Sequence, residues 1–481
     1  MSAPADQEKA NQGLRSRKNP RELATARRRG DLLLLTSIAV VSALAALVLR
    51  HAPGSVVQDL ADTAAWLRGG PKPEIVTWPA WGYAWLIALC PTLSWVVFLQ
   101  ACVGAAALFA LIRRLRNDLP EHATLITVLC VLAIPWQDVQ VTPYPSALAG
   151  SLTVLGILCL ARALQGNQLR WATLAGLLAG LGQNFRTEFV LLPLFLAVCW
   201  AALALLRVIK GSQLRVMATF VIVALALQVP WAIFYHSQTG RYSMTESNLG
   251  HVLYVSLGSS PHNPWGIEAN DQAAQRAVQA TGASFSSLSV AGDQLLRRIV
   301  RDKIAEHPGG LMGRTLQQLR NTLMAPFSWG EPALSEAGAH DLDVLRQEFK
   351  ARLGVGVNTL KLRTYASGEA SEQAHGDRAA WAALAYQILG VVCGSLVLVL
   401  GLVGMAWMFC RPSRRPRDPL LWLLGLVAVY KLAQDVFLFY QVNYLNNVYP
   451  VFIPFAVFAA NAVYAPFSHR GCPAVPYSKG V

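Results

Sequence analysis

Long apolar runs recur along this sequence, and they constrain its fold more than any other feature. A helix needs about 20 mainly apolar residues to cross the hydrocarbon core of a bilayer. Only 14% of the residues are charged, whereas a soluble domain carries roughly 25%. We therefore expect an all-α polytopic membrane protein with about ten transmembrane helices. The predicted spans are residues 32–50, 85–112, 122–137, 146–164, 171–185, 188–207, 216–236, 381–410, 419–440 and 446–467.

Basic residues collect at the ends of these runs, and this pattern predicts the orientation of the chain. Lys and Arg are frequent in residues 1–30, and further clusters lie at 113–116, 207–215 and 411–417. If the amino-terminal tail is cytoplasmic, all of these clusters fall on the cytoplasmic face, as the positive-inside rule requires. We expect a multi-pass protein of the cytoplasmic (inner) membrane with both termini in the cytoplasm. The net charge of +14 then favours contact with membrane lipids, and no nucleic-acid partner is expected.

The predicted spans divide the chain into five parts. Residues 1–30 form a basic cytoplasmic tail, which is too long for a cleaved signal peptide, so we expect the first span to be retained. Residues 31–236 form a seven-span module with outer-face loops. Residues 237–380 form a region on the outer (periplasmic or extracytoplasmic) face. A three-span module follows at 381–468, and a second cytoplasmic tail at 469–481.

The outer region shows helical patterns but contains no run long enough to cross a membrane. Residues 293–304 place Leu296, Val300 and Ile304 on one helix face, and residues 311–323 repeat apolar residues at a similar spacing. Such helices either lie on the membrane surface or pack into a small α-helical domain. The sequence leaves these two arrangements open.

Several chemistries lack a signature in the sequence. Eight cysteines are present, but without a CxxC pair they predict neither a disulfide framework nor a zinc site. Glycine-rich phosphate loops and the GxSxG and HExxH signatures do not occur, which argues against a nucleotide-driven enzyme. No metal site is predicted and no cofactor is required, although the residues are compatible with a divalent cation.

Ionisable residues gather in loops that the predicted topology places on the outer face. Asp59 and Asp62 follow the first span, Asp138 lies in the second outward loop, and Arg186 and Glu188 lie in the third. Each has a plain structural alternative. The aspartates solvate a loop or cap a helix, and Arg186 either snorkels to the membrane surface or pairs with Glu188.

The ninth predicted span contains two ionisable residues of its own. Lys431 and Asp435 are four residues apart and therefore lie on the same face of a helix. We expect this pair to be buried and to bond to each other.

Three segments carry a resemblance to a known family. The first, residues 59–83, runs from Asp59 through a Gly-Gly-Pro turn to the sequence TWPAWGY. The second, residues 175–196, reads AGLLAGLGQNFRTEFVLLPLFL, and the third, residues 245–266, contains TESNLGHVLYVSLG and NPWG. In order and topology they resemble the membrane-integral C-superfamily glycosyltransferases that use polyprenyl-phosphate-linked sugars. The nearest branches are the bacterial relatives of protein O-mannosyltransferases and of the lipid A aminoarabinose transferase.

This resemblance implies that residues 31–236 form a catalytic module, and it also implies the reaction that the module carries out. A sugar leaves a polyprenyl-phosphate donor and joins a hydroxyl acceptor of unknown identity at the outer membrane surface, with inversion at the anomeric carbon. Such a transfer needs a carboxylate as general base and cations that stabilise the departing phosphate.

The resemblance also implies roles for particular residues. The catalytic carboxylate is Asp59, with Asp62 and Asp138 supporting or replacing it. The first choice of donor-phosphate ligand is Arg186, with Arg241 and Lys72 as secondary candidates, and the substrate contacts are Glu188, Trp81, Tyr83 and Tyr444. The loop that holds Tyr444 departs from the family pattern, because Asn443 stands where the family has an arginine.

Two other classes of protein also fit the sequence. A transporter or flippase for a lipid-linked glycan would have similar spans, but transporters often carry internal repeats and this sequence shows none. A non-enzymatic assembly or sensor protein would use residues 237–380 as a binding module. The clustering of polar residues at one membrane surface favours the enzyme.

Overall fold

The regular secondary structure is helical in the parts of the chain that the structure, a computed structural model, describes. Those parts are residues 30–40, 55–77, 81–131, 133, 136, 139–140, 143–258, 263–268, 270–324, 378–410, 418–437 and 448–468, and they contain no strand. The first ten helices are α1 (Gly30–Val40), α2 (Ser55–Leu67), α3 (Trp81–Leu89), α4 (Leu93–Asp118), α5 (Ala123–Val131), α6 (Pro145–Gly166), α7 (Leu169–Phe185), α8 (Leu192–Leu205), α9 (Leu214–Ala226) and α10 (Val229–Thr239). The helices that follow are α11 (Leu249–Gly258), α12 (Asp271–Gln279), α13 (Val290–Glu306), α14 (Gly309–Met324), α15 (Arg378–Cys410), α16 (Pro419–Phe437) and α17 (Ile453–Ser468).

Six helical segments in the described ranges are long and apolar enough to cross a membrane. They are Leu93–Asp118, Pro145–Gly166, Thr187–Leu205, Gly211–Thr239, Ile388–Cys410 and Pro419–Phe437. The all-α membrane class of the fold is thereby supported, but the predicted count of about ten spans is not confirmed. The first, third, fifth and tenth predicted spans correspond to the shorter helices α1, α5, α7 and α17, and parts of three of them lie outside the described residues.

Small residues allow the central helices to pack closely. α7 lies against both α6 and α9, with Gly182 facing α6 and Gly176 and Gly180 facing α9. A Cβ atom at Gly176 would lie only 2.7 Å from the carbonyl oxygen of Phe220. The sequence AGLLAGLG therefore acts as a small-xxx-small contact surface of the kind common between membrane helices.

α2 and α3 form a short helical pair beside the end of α7. Leu60, Tyr83 and Ala84 are buried in their shared core. Arg68, just after α2, donates its Nε to the carbonyl oxygen of Ala88 at 2.9 Å, and its Nη2 to that of Ile87 at 2.5 Å. These bonds satisfy carbonyl groups in the last turn of α3 and fix how α2 meets α3.

α11, α12 and α13 form a unit with apolar clusters of their own, against which Leu311 of α14 also packs. Leu296 and Val300 of α13 are buried among residues of α11 and α12, which confirms the predicted apolar face. α13 and α14 also confirm the helices predicted over 293–304 and 311–323. Gly250 of α11 donates its N–H to Oδ1 of Asp293 at 2.5 Å, and a Cβ atom there would overlap with the carbonyl oxygen of Asp293.

α15, α16 and α17 pack on one another and on the first half of the chain. Asp418 caps the start of α16 by accepting the N–H of Leu420 at 2.9 Å. The same carboxylate accepts from Arg114 of α4 at 3.0 Å and from Gln165 of α6 at 2.9 Å. The two span modules predicted from the sequence are therefore joined by direct polar contacts.

Candidate functional site

Lys72 and Arg241, two of the three predicted phosphate ligands, line one open pocket of about 450 Å³. Lys72 lies in the extended segment after α2, and Arg241 lies two residues after the end of α10. The Lys72 ammonium donates to Oε1 of Gln238 at 2.7 Å, which ties the two segments together. Thr239, the last residue of the candidate span Gly211–Thr239, also lines the pocket. The pocket thus combines two cationic side chains with a position at the end of a candidate membrane span.

Two glycine turns direct these segments toward each other. Gly69 ends the α2 turn with φ +95°, and Gly240 ends α10 with φ +70°, both in the left-handed region that favours glycine. Beyond the turns, the hydroxyls of Thr77 and Ser247 lie 2.8 Å apart in a buried hydrogen bond. The N–H of Ser247 also donates to the carbonyl oxygen of Thr77 at 3.3 Å. The segment that carries Lys72 is therefore held alongside the one that carries Arg241.

The sequence did not reveal the remaining wall of the pocket. It includes Glu74 and the first turn of α13, where Ser289 caps the helix by accepting the N–H of Gly292 at 3.1 Å. The amino-terminal end of a helix carries partial positive charge, so α13 adds to the field of the two cations. The sequence PKPE places Glu74 two residues after Lys72, so its position near Lys72 could have been predicted. The position of α13 depends on tertiary packing and could not.

Asp59 and Asp62 lie on one side of α2, as their spacing predicts. Asp59 is half-buried and Asp62 is exposed. Burial, together with the nearby charge of Asp62, raises the pKa of the Asp59 carboxyl. Neither aspartate is among the residues that line the Lys72 pocket, and α2 connects to that pocket through the segment that follows it.

Arg186, the third predicted phosphate ligand, lies in a separate, buried ionic cluster. Its Nε lies 3.5 Å from Oε2 of Glu188, and its guanidinium lies over the ring of Tyr144. The other oxygen of Glu188 accepts from Lys431 at 3.0 Å. The Lys431 side chain is fully buried and that of Glu188 is 9% exposed. The alternative in which Arg186 pairs with Glu188 is confirmed, and Arg186 does not line the Lys72 pocket.

The ionic cluster fastens α16 to the junction of α7 and α8. Tyr430 and Gln434 of α16 donate to the carbonyl oxygen of Glu188 at 2.8 and 2.6 Å. Asp435, which the sequence paired with Lys431, accepts a hydrogen bond from Thr322 of α14 at 2.7 Å. The structure thus gives Lys431 a hydrogen-bonded partner, Glu188, from outside α16.

The predicted substrate contacts Trp81 and Tyr83 lie in different environments. Trp81 is partly exposed, stacks on Phe234 with ring centroids 5.4 Å apart, and donates to Asn184 at 3.2 Å. Tyr83 is completely buried, and its hydroxyl donates to Gln100 at 2.9 Å. We therefore correct the prediction for Tyr83, since a substrate has no access to a side chain used inside the bundle.

Two further predicted site residues, Asp138 and Tyr444, lie outside the described residues. Within the described ranges, no group of three or more His, Cys, Asp and Glu side chains is arranged to hold a metal ion.

Comparisons with known proteins add no relative: no family model, no curated protein and no solved structure matches the chain. In the described residues, we base the functional inference on the pocket lined by Lys72 and Arg241 and on the ionic cluster of Arg186, Glu188 and Lys431, which we call the Glu188 cluster.

Proposed function

We propose that this protein is a glycosyltransferase that moves a sugar from a polyprenyl-phosphate monosaccharide to a hydroxyl acceptor. The reaction takes place at the outer face of the cytoplasmic membrane, with both chain termini in the cytoplasm. The observation that carries the proposal is the pocket in which Lys72 and Arg241 meet at the end of a candidate span. A polyprenyl phosphate keeps its hydrocarbon in the bilayer and its phosphate at the surface, so its charged group lies at that height. Lys and Arg form strong, charge-assisted hydrogen bonds with phosphate.

In the proposed reaction the acceptor oxygen attacks the anomeric carbon of the donor sugar. The bond from that carbon to the phosphate oxygen breaks, and the electron pair leaves with the polyprenyl phosphate. Lys72 and Arg241 stabilise the charge that develops on this leaving group, and the first turn of α13 adds a favourable dipole. The acceptor proton passes to a carboxylate. The likeness of three sequence segments to C-superfamily glycosyltransferases supports the same reaction.

Two positions qualify for the carboxylate that accepts the proton. Asp59 is our proposed base, because the resemblance assigns it this role and because burial raises the pKa of its carboxyl, which makes the carboxylate a stronger proton acceptor. Asp62, one turn further along α2, is the supporting group. Glu74 is the alternative that the geometry adds, because it lies in the pocket with both cations.

The donor site is tested by binding of undecaprenyl phosphate to the full-length protein in nanodiscs. We expect Lys72→Gln and Arg241→Gln each to weaken binding about tenfold, since a charge-assisted hydrogen bond contributes about 1.5 kcal/mol. Lys303→Gln is the matched control. It removes the same charge from the last turn of α13, roughly 20 Å along the helix from the pocket. Equal affinity in all of these proteins would rule out the pocket as the phosphate site.

The reaction itself is tested with a panel of polyprenyl-phosphate monosaccharides that carry a labelled sugar. Transfer by the wild-type protein should fall at least about 100-fold when the general base is neutralised. A loss in Asp59→Asn with activity kept in Glu74→Gln supports Asp59, and the reverse result supports Glu74. Full activity in both variants would show that neither carboxylate is the base.

A transporter or flippase for a lipid-linked glycan is the second candidate, and the Glu188 cluster is the observation in its favour. Ionisable residues inside membrane spans often line a transport path. Glu188 and Lys431 belong to the candidate spans Thr187–Leu205 and Pro419–Phe437. Movement of a fluorescent lipid-linked sugar across a proteoliposome, without consumption of any polyprenyl-phosphate sugar, would decide for the transporter.

A further inference from the structure

Three polar side chains of α14 face the protein interior. Arg314, Gln318 and Thr322 recur every four residues along one face, and none is more than 4% exposed. Arg314 donates to the carbonyl oxygens of Ser256 and Phe437 at 3.2 and 3.1 Å, and also to the hydroxyl of Ser256. These contacts, with the bond from Thr322 to α16, hold α14 against α11 and α16 through polar groups.

On the opposite side of α14, three apolar side chains are exposed. Met312, Leu316 and Leu319 are 66%, 58% and 40% exposed, respectively. An amphipathic helix of a water-soluble domain has the reverse arrangement, with its apolar stripe toward the core and its charges in solvent. In a membrane, ionisable residues face the interior of the bundle, and lipid surrounds the apolar side chains. α14 therefore shows the pattern of a helix that is surrounded by lipid.

The two candidate spans that contact α14 also expose apolar side chains. α14 packs against both α15 and α16. α15 exposes Leu396 and Val403, which are 55% and 56% exposed, and α16 exposes Phe437 at its end. Exposed apolar side chains thus occur on α14 and on both spans that it contacts, and this shared property points to the medium that surrounds the spans as the occupant.

We propose that α14 is embedded in the bilayer beside α15 and α16, with Met312, Leu316 and Leu319 in contact with lipid acyl chains. The helix has 16 residues, so at 1.5 Å per residue it reaches about 24 Å, which is less than the roughly 30 Å of a full crossing. It enters the membrane without being one of the six candidate spans. This inference does not depend on the proposed glycosyl transfer, and it differs from both arrangements that the sequence left open, because α14 enters the bilayer instead of lying on its surface or packing in water.

Photo-crosslinking in nanodiscs tests the proposal on the full-length protein. Benzoylphenylalanine at position 316 should form adducts with phospholipid acyl chains at a yield within about twofold of that at Val399, which lies on the candidate span α15. The same probe at Asp302, on the exposed side of α13, should give at least tenfold fewer lipid adducts. Crosslinks from position 316 to residues 325–377 of the same chain, or to a second copy, would overturn the proposal. So would a lipid yield equal to that at Asp302.

A second measurement uses a smaller substitution. Leu319→Cys should react at least tenfold more slowly with a membrane-impermeant maleimide in nanodiscs than after unfolding in SDS. Mass spectrometry of the short tryptic peptide 315–320 separates this thiol from the native cysteines. Asp302→Cys is the control, and its reaction rate should change little on unfolding. Fast labelling of position 319 in the folded protein would mean that water, rather than lipid, covers α14.

Discussion

Glu188→Gln is expected to destabilise the fold, because it leaves a buried lysine without the carboxylate that it bonds. The Lys431 side chain is fully buried, and its ammonium lies 3.0 Å from Oε1 of Glu188. Removing one partner of a buried ion pair costs about 3–5 kcal/mol, whereas replacing both partners costs much less. Asp435 lies one turn from Lys431 on α16 and offsets part of the loss. We therefore expect about 3 kcal/mol, which is roughly a 150-fold change in the ratio of folded to unfolded protein.

Equilibrium unfolding in mixed micelles with a rising fraction of SDS, followed by tryptophan fluorescence, measures this cost. A double-mutant cycle with Lys431→Met should show that the two substitutions together cost at least about 1.5 kcal/mol less than their sum. Glu306→Gln breaks the exposed Lys303–Glu306 pair and should cost less than about 1 kcal/mol. Additive effects in the cycle, or a similar small cost for Glu188→Gln, would refute the view that this pair holds α16 in place.

Two further predictions concern the regions around the pocket. Gly250→Ala should loosen α11 from α13, because the added Cβ would overlap with the carbonyl oxygen of Asp293. We expect a loss of about 2–4 kcal/mol in stability, measured as faster proteolysis and hydrogen exchange in α11–α14. Gly313→Ala, at an open position, is the control and should have little effect. Asp59→Asn should stabilise the fold at neutral pH. The Asp59 carboxyl has a raised pKa, so its contribution to stability is fully present below its ordinary pKa and is lost as the pH rises through the raised value. The difference in thermal stability between variant and wild type should therefore shrink as the pH falls toward about 4, and a difference that does not change with pH would contradict the shift.

The parts of the fold that the sequence predicted are those that depend on local patterns. α13 and α14 follow from apolar residues at helical spacing, and the six candidate spans follow from run length. α7 shows the limit of this reasoning, because a 17-residue helix rich in small residues packs in the bundle without meeting the length of a full crossing. Run length alone cannot separate such a helix from a span.

The candidate site was predictable only residue by residue. Asp59 and Asp62 share a side of α2 because a spacing of three fixes that relation, whatever the rest of the chain does. Lys72 and Arg241 are 169 positions apart, and two glycine turns and the packing of α10 bring them together. Lys431 shows what a local rule misses, since spacing places Asp435 one turn away and tertiary packing adds Glu188 as a hydrogen-bonded partner.

α16 is anchored at both of its ends, and this limits how the molecule can move. At its start, Asp418 is bonded to α4 and α6 through Arg114 and Gln165. Near its other end, Lys431 and its neighbours are bonded to Glu188 at the entrance of α8. Alternating access requires one bundle of helices to rock against another about a fixed site. α16 is bonded to the first half of the chain near both of its ends, so a rocking motion of α16 against that half would have to break the polar contacts at one end or the other. A helix that is fixed at both ends is compatible with an enzyme that holds a lipid-linked donor in place while its sugar is transferred.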